Sequence, residues 1–130
     1  MTARVLIVDD DAFFVRRARA ALEGSFELQI VSNRDAALAA IETWAPDIVV
    51  LDATLGGSGA FGLLDEMRTS CLDGVPRVLF VAKGPGSIHR LQVDGSSFLG
   101  VILRESGMDG LLAAVRCALG TVMSRRLLTA

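Results

Sequence analysis

Three aspartates at the ends of two separate apolar segments are the residues of this 130-residue sequence best suited to chemistry. Asp9 and Asp10 directly follow the apolar segment 5–8, and Asp52 directly follows the apolar segment 48–51. Carboxylates that lie close together repel one another, so such a cluster is unstable without a cation. A hard divalent cation such as Mg²⁺, held by one or two carboxylates and by water, removes this repulsion. The three aspartates therefore predict a magnesium site, provided that the fold brings them together.

Short apolar segments alternate with helical patterns along the whole chain. The predicted strands are Arg4–Val8, Phe26–Val31, Asp47–Asp52, Arg77–Ala82 and Leu99–Leu103. The predicted helices are Asp11–Glu23, Arg34–Trp44, Ala60–Thr69, Ser87–Val93 and a last helix from about Met108 to beyond Met123. This strict alternation, with strands that are apolar almost throughout, predicts a parallel sheet covered by helices on both faces.

Five strands and five helices fit a doubly wound α/β fold of the flavodoxin-like type, with strand order 2-1-3-4-5. The strands alone would also fit a fragment of a larger Rossmann-type domain. A glycine-rich dinucleotide fingerprint is missing after the first strand, where acidic residues stand instead, so nucleotide binding at that turn is not expected.

The strand order explains how the aspartates meet. Ligands in this fold bind beyond the carboxyl ends of the strands, at the switch point between strands 1 and 3. Asp9 and Asp10 lie at the end of strand 1 and Asp52 at the end of strand 3, so all three face the same crevice. Asp10 or Asp11 could instead only cap the first helix, where a negative charge suits the helix dipole. For Asp9, Asp10 and Asp52 taken together, a metal site is the favoured interpretation.

The composition narrows the class of protein. We expect one domain spanning residues 1–130, since 52% of the residues are apolar and the length suits a single core. A net charge of −2 and an isoelectric point near 5.3 argue against direct nucleic-acid binding. No apolar run approaches the roughly 18 residues of a membrane-spanning helix. Cys71 and Cys117 lack metal-ligand spacing, which favours reduced thiols in a cytoplasmic protein.

Two motifs together carry a family resemblance. VLIVDDD at residues 5–11 and PDIVVLD at residues 46–52 resemble the receiver domain of two-component response regulators. The order and spacing of the elements agree over nearly the whole chain. The resemblance implies that Asp52 accepts a phosphoryl group from a histidine kinase or a phosphotransfer protein. It also implies that Asp10 binds Mg²⁺ directly, that Asp9 holds metal-bound water, and that the backbone carbonyl of Thr54 completes the protein ligands.

The sequence departs from the receiver pattern at the positions that bind phosphate and respond to it. Ala82 stands where receivers usually carry Ser or Thr, Arg104 replaces the usual Lys, and Val101 replaces an aromatic residue. Arginine keeps the positive charge and can bind phosphate through two N–H groups, but it is not equivalent to lysine. Lys83 is a candidate to supply some of the missing phosphate contacts. The glycine-rich segment 83–86 and the short helix after it form a candidate switching element.

Three functions fit these residues. The favoured one is a non-enzymatic receiver that is phosphorylated on Asp52 and signals through a protein surface. The second is a pseudo-receiver, the same fold acting as a phosphorylation-independent binding module. The third is a Mg²⁺-dependent phosphohydrolase, which is disfavoured because such enzymes commonly carry a second aspartate where this chain has Thr54.

Two further segments are candidate partner surfaces. Phe13 is adjacent to Phe14 in the first helix, and because Phe14 fits the inward-facing stripe, Phe13 is expected to be exposed. The last helix outlasts the sheet that it should cover. It could be the start of a linker to an output domain, pair in a homodimer, or simply fray at its end. An output domain or a downstream protein is the expected partner.

Overall fold

The alternating apolar segments form the central sheet of the protein. A computed structural model describes residues 2–55, 59–70, 77–83 and 98–129. The strands are β1 (Arg4–Val8), β2 (Glu27–Val31), β3 (Ile48–Asp52), β4 (Arg77–Ala82) and β5 (Phe98–Leu103). The helices within the described ranges are α1 (Ala12–Leu22), α2 (Arg34–Trp44), α3 (Gly59–Ser70) and α4 (Gly107–Thr129), and a 3-10 turn, Arg104–Ser106, joins β5 to α4.

The five strands are parallel and lie in the order β2-β1-β3-β4-β5. This confirms the predicted fold class and strand order. β1 and β3 are direct neighbours, with Val8 opposite Leu51. The residues that follow Val8 and the residue that ends β3 therefore emerge side by side at the carboxyl edge of the sheet.

Two apolar cores, one on each face of the sheet, explain why the strands are apolar almost throughout. Successive side chains of a strand point to opposite faces. One face packs against α1 and α4 through Phe14, Ala18, Leu22, Leu111 and Val115. The other packs against α2 and α3 through Ala37, Ile41, Leu63, Leu64 and Met67. In a strand that is buried on both faces, consecutive residues are apolar rather than every second one, as the parallel-sheet prediction expects.

Most predicted boundaries agree with the structure within one residue. Helix α1 begins at Ala12 because Asp11 is its N-cap. The Asp11 Oδ1 accepts the amide hydrogens of Phe13 and Phe14. Phe13 is 69% exposed, as expected from its place beside the inward-facing stripe. The predicted helix Ser87–Val93 lies outside the described residues. Within the described ranges, no helix is long and apolar enough to cross a membrane.

The N-cap of α2 provides a simple test of local stability. The Asn33 Oδ1 accepts the amide hydrogen of Ala36 at 2.9 Å. Replacement of Asn33 by alanine leaves that amide without its partner, so the free energy of unfolding should fall by about 1 kcal/mol in urea titrations. Replacement by aspartate keeps an acceptor and should leave the free energy nearly unchanged. Equal stability of the alanine variant and the unaltered protein would contradict this role of Asn33.

Candidate acidic site at the carboxyl edge of the sheet

The structure brings Asp9, Asp10 and Asp52 together. Asp9 follows β1 and is 2% exposed, Asp52 ends β3 and is 1% exposed, and Asp10 is exposed to solvent. One carboxylate oxygen from each residue lies within 4.8 Å of the other two. Neighbouring parallel strands that end at the same level produce this cluster.

The two oxygens of Asp52 have different surroundings. Oδ1 accepts hydrogen bonds from the backbone N–H and from the hydroxyl of Thr54, both at 3.0 Å. Oδ2 is buried and has no hydrogen-bond partner among the described residues. Burial of a carboxylate oxygen without a partner is unfavourable, so this atom is suited to a cation or to an incoming electrophile. The cluster offers only hard oxygen donors, so its chemistry fits a divalent cation such as Mg²⁺.

Asp9 is the most constrained member of the cluster. Its Oδ1 accepts the amide hydrogen of Asp11 at 2.9 Å, and its Oδ2 accepts a hydrogen bond from Arg104 at 2.7 Å. Burial raises the pKa of the Asp9 carboxyl, and the nearby charge of Asp52 adds to the increase. The hydrogen bonds from Asp11 and Arg104 oppose the increase without cancelling it, so the net pKa is raised.

Arg104 is the cation that the structure itself places in the cluster. It opens the 3-10 turn after β5, and its Nη2 lies 2.7 Å from Asp9 Oδ2 and 3.7 Å from Asp52 Oδ2. Its Nη1 lies 2.6 Å from Asp11 Oδ2. Burial alone would lower the pKa of Arg104, but the hydrogen bond to Asp11 and the charges of Asp9 and Asp52 raise it. Arg104 therefore remains a cation and partly neutralises the buried carboxylates.

The pairing of Arg104 with Asp11 is the contact that sequence reasoning missed. From the sequence, Asp11 is a candidate cap of α1 and Arg104 is a candidate phosphate contact, and neither role predicts that the two residues pair. The hydrogen bond from Arg104 holds the pKa of the Asp11 carboxyl below its usual value. The two residues are 93 positions apart in the chain. The sequence carries two signals: a third acidic residue directly after Asp9 and Asp10, and an arginine in place of the usual lysine. Neither signal indicates which carboxylate the arginine contacts.

The other predicted site residues bring no side-chain hydrogen bond or ion pair to the acidic cluster within the described part of the chain. Ala82 is fully buried at the end of β4, opposite Leu103, and its side chain brings no polar group to the site. Lys83 is exposed, and no ion pair joins it to the described part of the cluster. Val101 lies in β5 opposite Phe80, but its side chain is outside the described residues. The rest of the candidate switching element, residues 84–86 and the helix after them, is also outside the described residues.

Comparison with known proteins finds similarity mainly to response regulators. No family model matches the sequence. The DNA-binding response regulator MtrA of Mycobacterium tuberculosis is 33% identical over 84 residues, which are 64% of this chain and 36% of that protein. The match thus spans little more than a third of the length of the curated relatives.

Solved receiver structures have the same fold. The signal receiver domain of a LuxO repressor protein from Vibrio parahaemolyticus superposes with a TM-score of 0.82 at 16% identity, covering 100% of this chain and 99% of that one. NtrX from Brucella abortus superposes with a TM-score of 0.80 at 25% identity, covering 99% of this chain and 30% of that one. The fold, the acidic cluster and these likenesses together support the identification of this chain as a receiver domain of the response-regulator type.

Proposed function

We propose that this receiver domain accepts a phosphoryl group on Asp52 from a histidine kinase or a phosphotransfer protein. The observation that carries the proposal is the buried Oδ2 of Asp52, which accepts no hydrogen bond from any described residue and lies 3.7 Å from Arg104 Nη2. A carboxylate oxygen is a competent nucleophile toward phosphorus when the charge on the phosphoryl oxygens is balanced.

The residues of the cluster fit distinct roles around Mg²⁺. Asp10, which is exposed, Asp52 and the backbone carbonyl of Thr54 would bind the ion directly. Both oxygens of Asp9 already accept hydrogen bonds, which suits this residue to hold metal-bound water instead. When bound, Mg²⁺ would neutralise charge on the phosphoryl oxygens.

The chain itself orients the nucleophile. Thr54 holds Oδ1 of Asp52 through two hydrogen bonds, so Oδ2 is the oxygen left to attack phosphorus. The new Oδ2–P bond forms as the bond between phosphorus and the donor breaks, and the leaving group keeps that electron pair. Arg104 Nη2, 3.7 Å from Asp52 Oδ2, would contact the phosphoryl oxygens of the adduct. Lys83 is a second candidate for phosphate contact. Ala82 has no side-chain hydroxyl and residue 101 is valine, so the usual response through a hydroxyl and an aromatic residue is not expected.

Signalling is proposed to run through protein surfaces rather than through an enzymatic activity on other molecules. The related response regulators carry this domain in longer chains, and the mycobacterial relative is named DNA-binding. We propose that residues 1–130 form the receiver unit of a cytoplasmic signalling protein and that α4 leads to an output domain, contacts a downstream protein or pairs in a homodimer. Phe13, with the Arg17 guanidinium 5.7 Å from its ring centre, is a second candidate contact for a partner protein.

Intact-protein mass after incubation with acetyl phosphate tests the proposal. We expect one phosphoryl group per chain in the presence of Mg²⁺ and none in the presence of EDTA. Beryllofluoride binding in the presence of Mg²⁺ serves as the control for a short-lived adduct, because this phosphoryl analogue does not hydrolyse from the carboxylate in the same way. Absence of both the adduct and beryllofluoride binding would contradict the proposal and favour the pseudo-receiver.

A further inference from the structure

Asp11 divides its two carboxylate oxygens between two tasks. Oδ1 caps α1 by accepting the amide hydrogens of Phe13 at 3.0 Å and Phe14 at 3.3 Å. Oδ2 takes no part in the cap and accepts a hydrogen bond from Arg104 Nη1 at 2.6 Å. A cap needs only one acceptor oxygen, which asparagine and serine also supply. The second oxygen therefore has a role that helix capping does not explain.

Asp11 holds one end of the Arg104 guanidinium. The guanidinium is planar, so a partner that holds Nη1 also restricts where Nη2 can point. Nη2 is directed toward Asp9 Oδ2 at 2.7 Å and Asp52 Oδ2 at 3.7 Å. The ring of Phe14, on the first turn of the same helix, lies 4.6 Å from the guanidinium carbon. The first turn of α1 thus supports Arg104 by an ion pair and by a ring contact.

We propose that Asp11 is a positioning residue, which holds Arg104 so that Nη2 faces the phosphoryl group received by Asp52. This inference rests on the proposed function. It also gives the third acidic residue, Asp11, a physical role beside an arginine. A lysine ammonium is a point charge that needs no particular rotation, whereas a guanidinium binds phosphoryl oxygens well only in the correct orientation.

Variants that keep the cap but remove the second oxygen test this role. We expect Asp11→Asn and Asp11→Ser to fold with α1 intact and to take up phosphoryl groups from acetyl phosphate about tenfold more slowly, because Arg104 loses its orientation. Asp65→Asn, the same chemical change at an exposed position of α3, should react at the rate of the unaltered protein. Urea unfolding of each variant, without metal or phosphoryl donor, serves as the readout for folding.

A double-variant comparison shows whether Asp11 acts through Arg104. In the Arg104→Met background, Asp11→Asn should not slow phosphoryl uptake further, because no guanidinium remains to be positioned. If the methionine background does not fold, Arg104→Lys replaces it, and there the effect of Asp11→Asn should be markedly smaller than in the unaltered chain.

The possible results separate this inference from the proposed function. Normal uptake by the unaltered chain together with normal uptake by Asp11→Asn and Asp11→Ser would overturn the positioning role and leave the proposed function intact. An equal slowing by Asp11→Asn in the presence and absence of Arg104 would also overturn it, since Asp11 would then act independently. Failure of the unaltered chain to take up a phosphoryl group or bind beryllofluoride would overturn both.

Discussion

Replacement of Asp52 by asparagine is expected to abolish phosphoryl uptake from acetyl phosphate. The amide lacks the negative charge and the nucleophilic oxygen that would attack phosphorus at the position of Oδ2. The fold should survive, because the asparagine Oδ1 can still accept the two hydrogen bonds from Thr54 that now reach Asp52. The change also removes one buried negative charge beside Asp9, so the free energy of unfolding should not fall. Intact-protein mass and urea unfolding measure the two effects.

The controls for this experiment distinguish loss of the acceptor from loss of the cation. Asp10→Asn keeps Asp52, so uptake should become slower and require more Mg²⁺ without disappearing at high Mg²⁺ concentration. A persistent phosphoryl adduct on the Asp52→Asn variant would show that another residue is the acceptor. Mapping of that adduct by peptide mass would then identify the residue.

Replacement of Arg104 by methionine is expected to lower the free energy of unfolding by about 3 kcal/mol when divalent cations are absent. The Arg104 side chain is only 17% exposed, and it pairs with Asp9, whose side chain is 1% exposed. Methionine fills similar space but leaves the carboxylates of Asp9 and Asp52 buried without a counter-ion. Removal of one partner from a buried ion pair is destabilising because the other charge stays uncompensated.

Mg²⁺ should restore part of the stability lost in the Arg104→Met variant, since a cation that binds only the folded state stabilises it. Urea titrations in EDTA and in increasing Mg²⁺ measure both effects. Arg16→Met, which removes an exposed arginine from α1, should change the free energy of unfolding by no more than about 0.5 kcal/mol. Equal stability of the Arg104→Met and unaltered proteins in EDTA would show that Arg104 is not the counter-ion of the cluster.

The sequence by itself determined the fold and the meeting of the aspartates. Apolar segments of strand length alternate with helical patterns, and this alternation has few solutions other than a parallel sheet covered on both faces. In the order β2-β1-β3-β4-β5, β1 and β3 are neighbours, so Asp9 and Asp52 emerge at one edge. Backbone topology alone produces this proximity, which is why a pattern in the sequence could predict it.

The tertiary structure alone decided how charge is distributed within the site. It shows that Arg104 is shared between Asp9 and Asp11 and that Asp11 uses one oxygen for α1 and the other for Arg104. It also shows that one oxygen of Asp52 accepts no hydrogen bond from the part of the chain that the structure describes. The two contacts of Arg104 join residues that are 93 and 95 positions apart. They depend on strand spacing and on side-chain rotamers at the level of a single ångström, and hydrophobic periodicity carries no information at that scale.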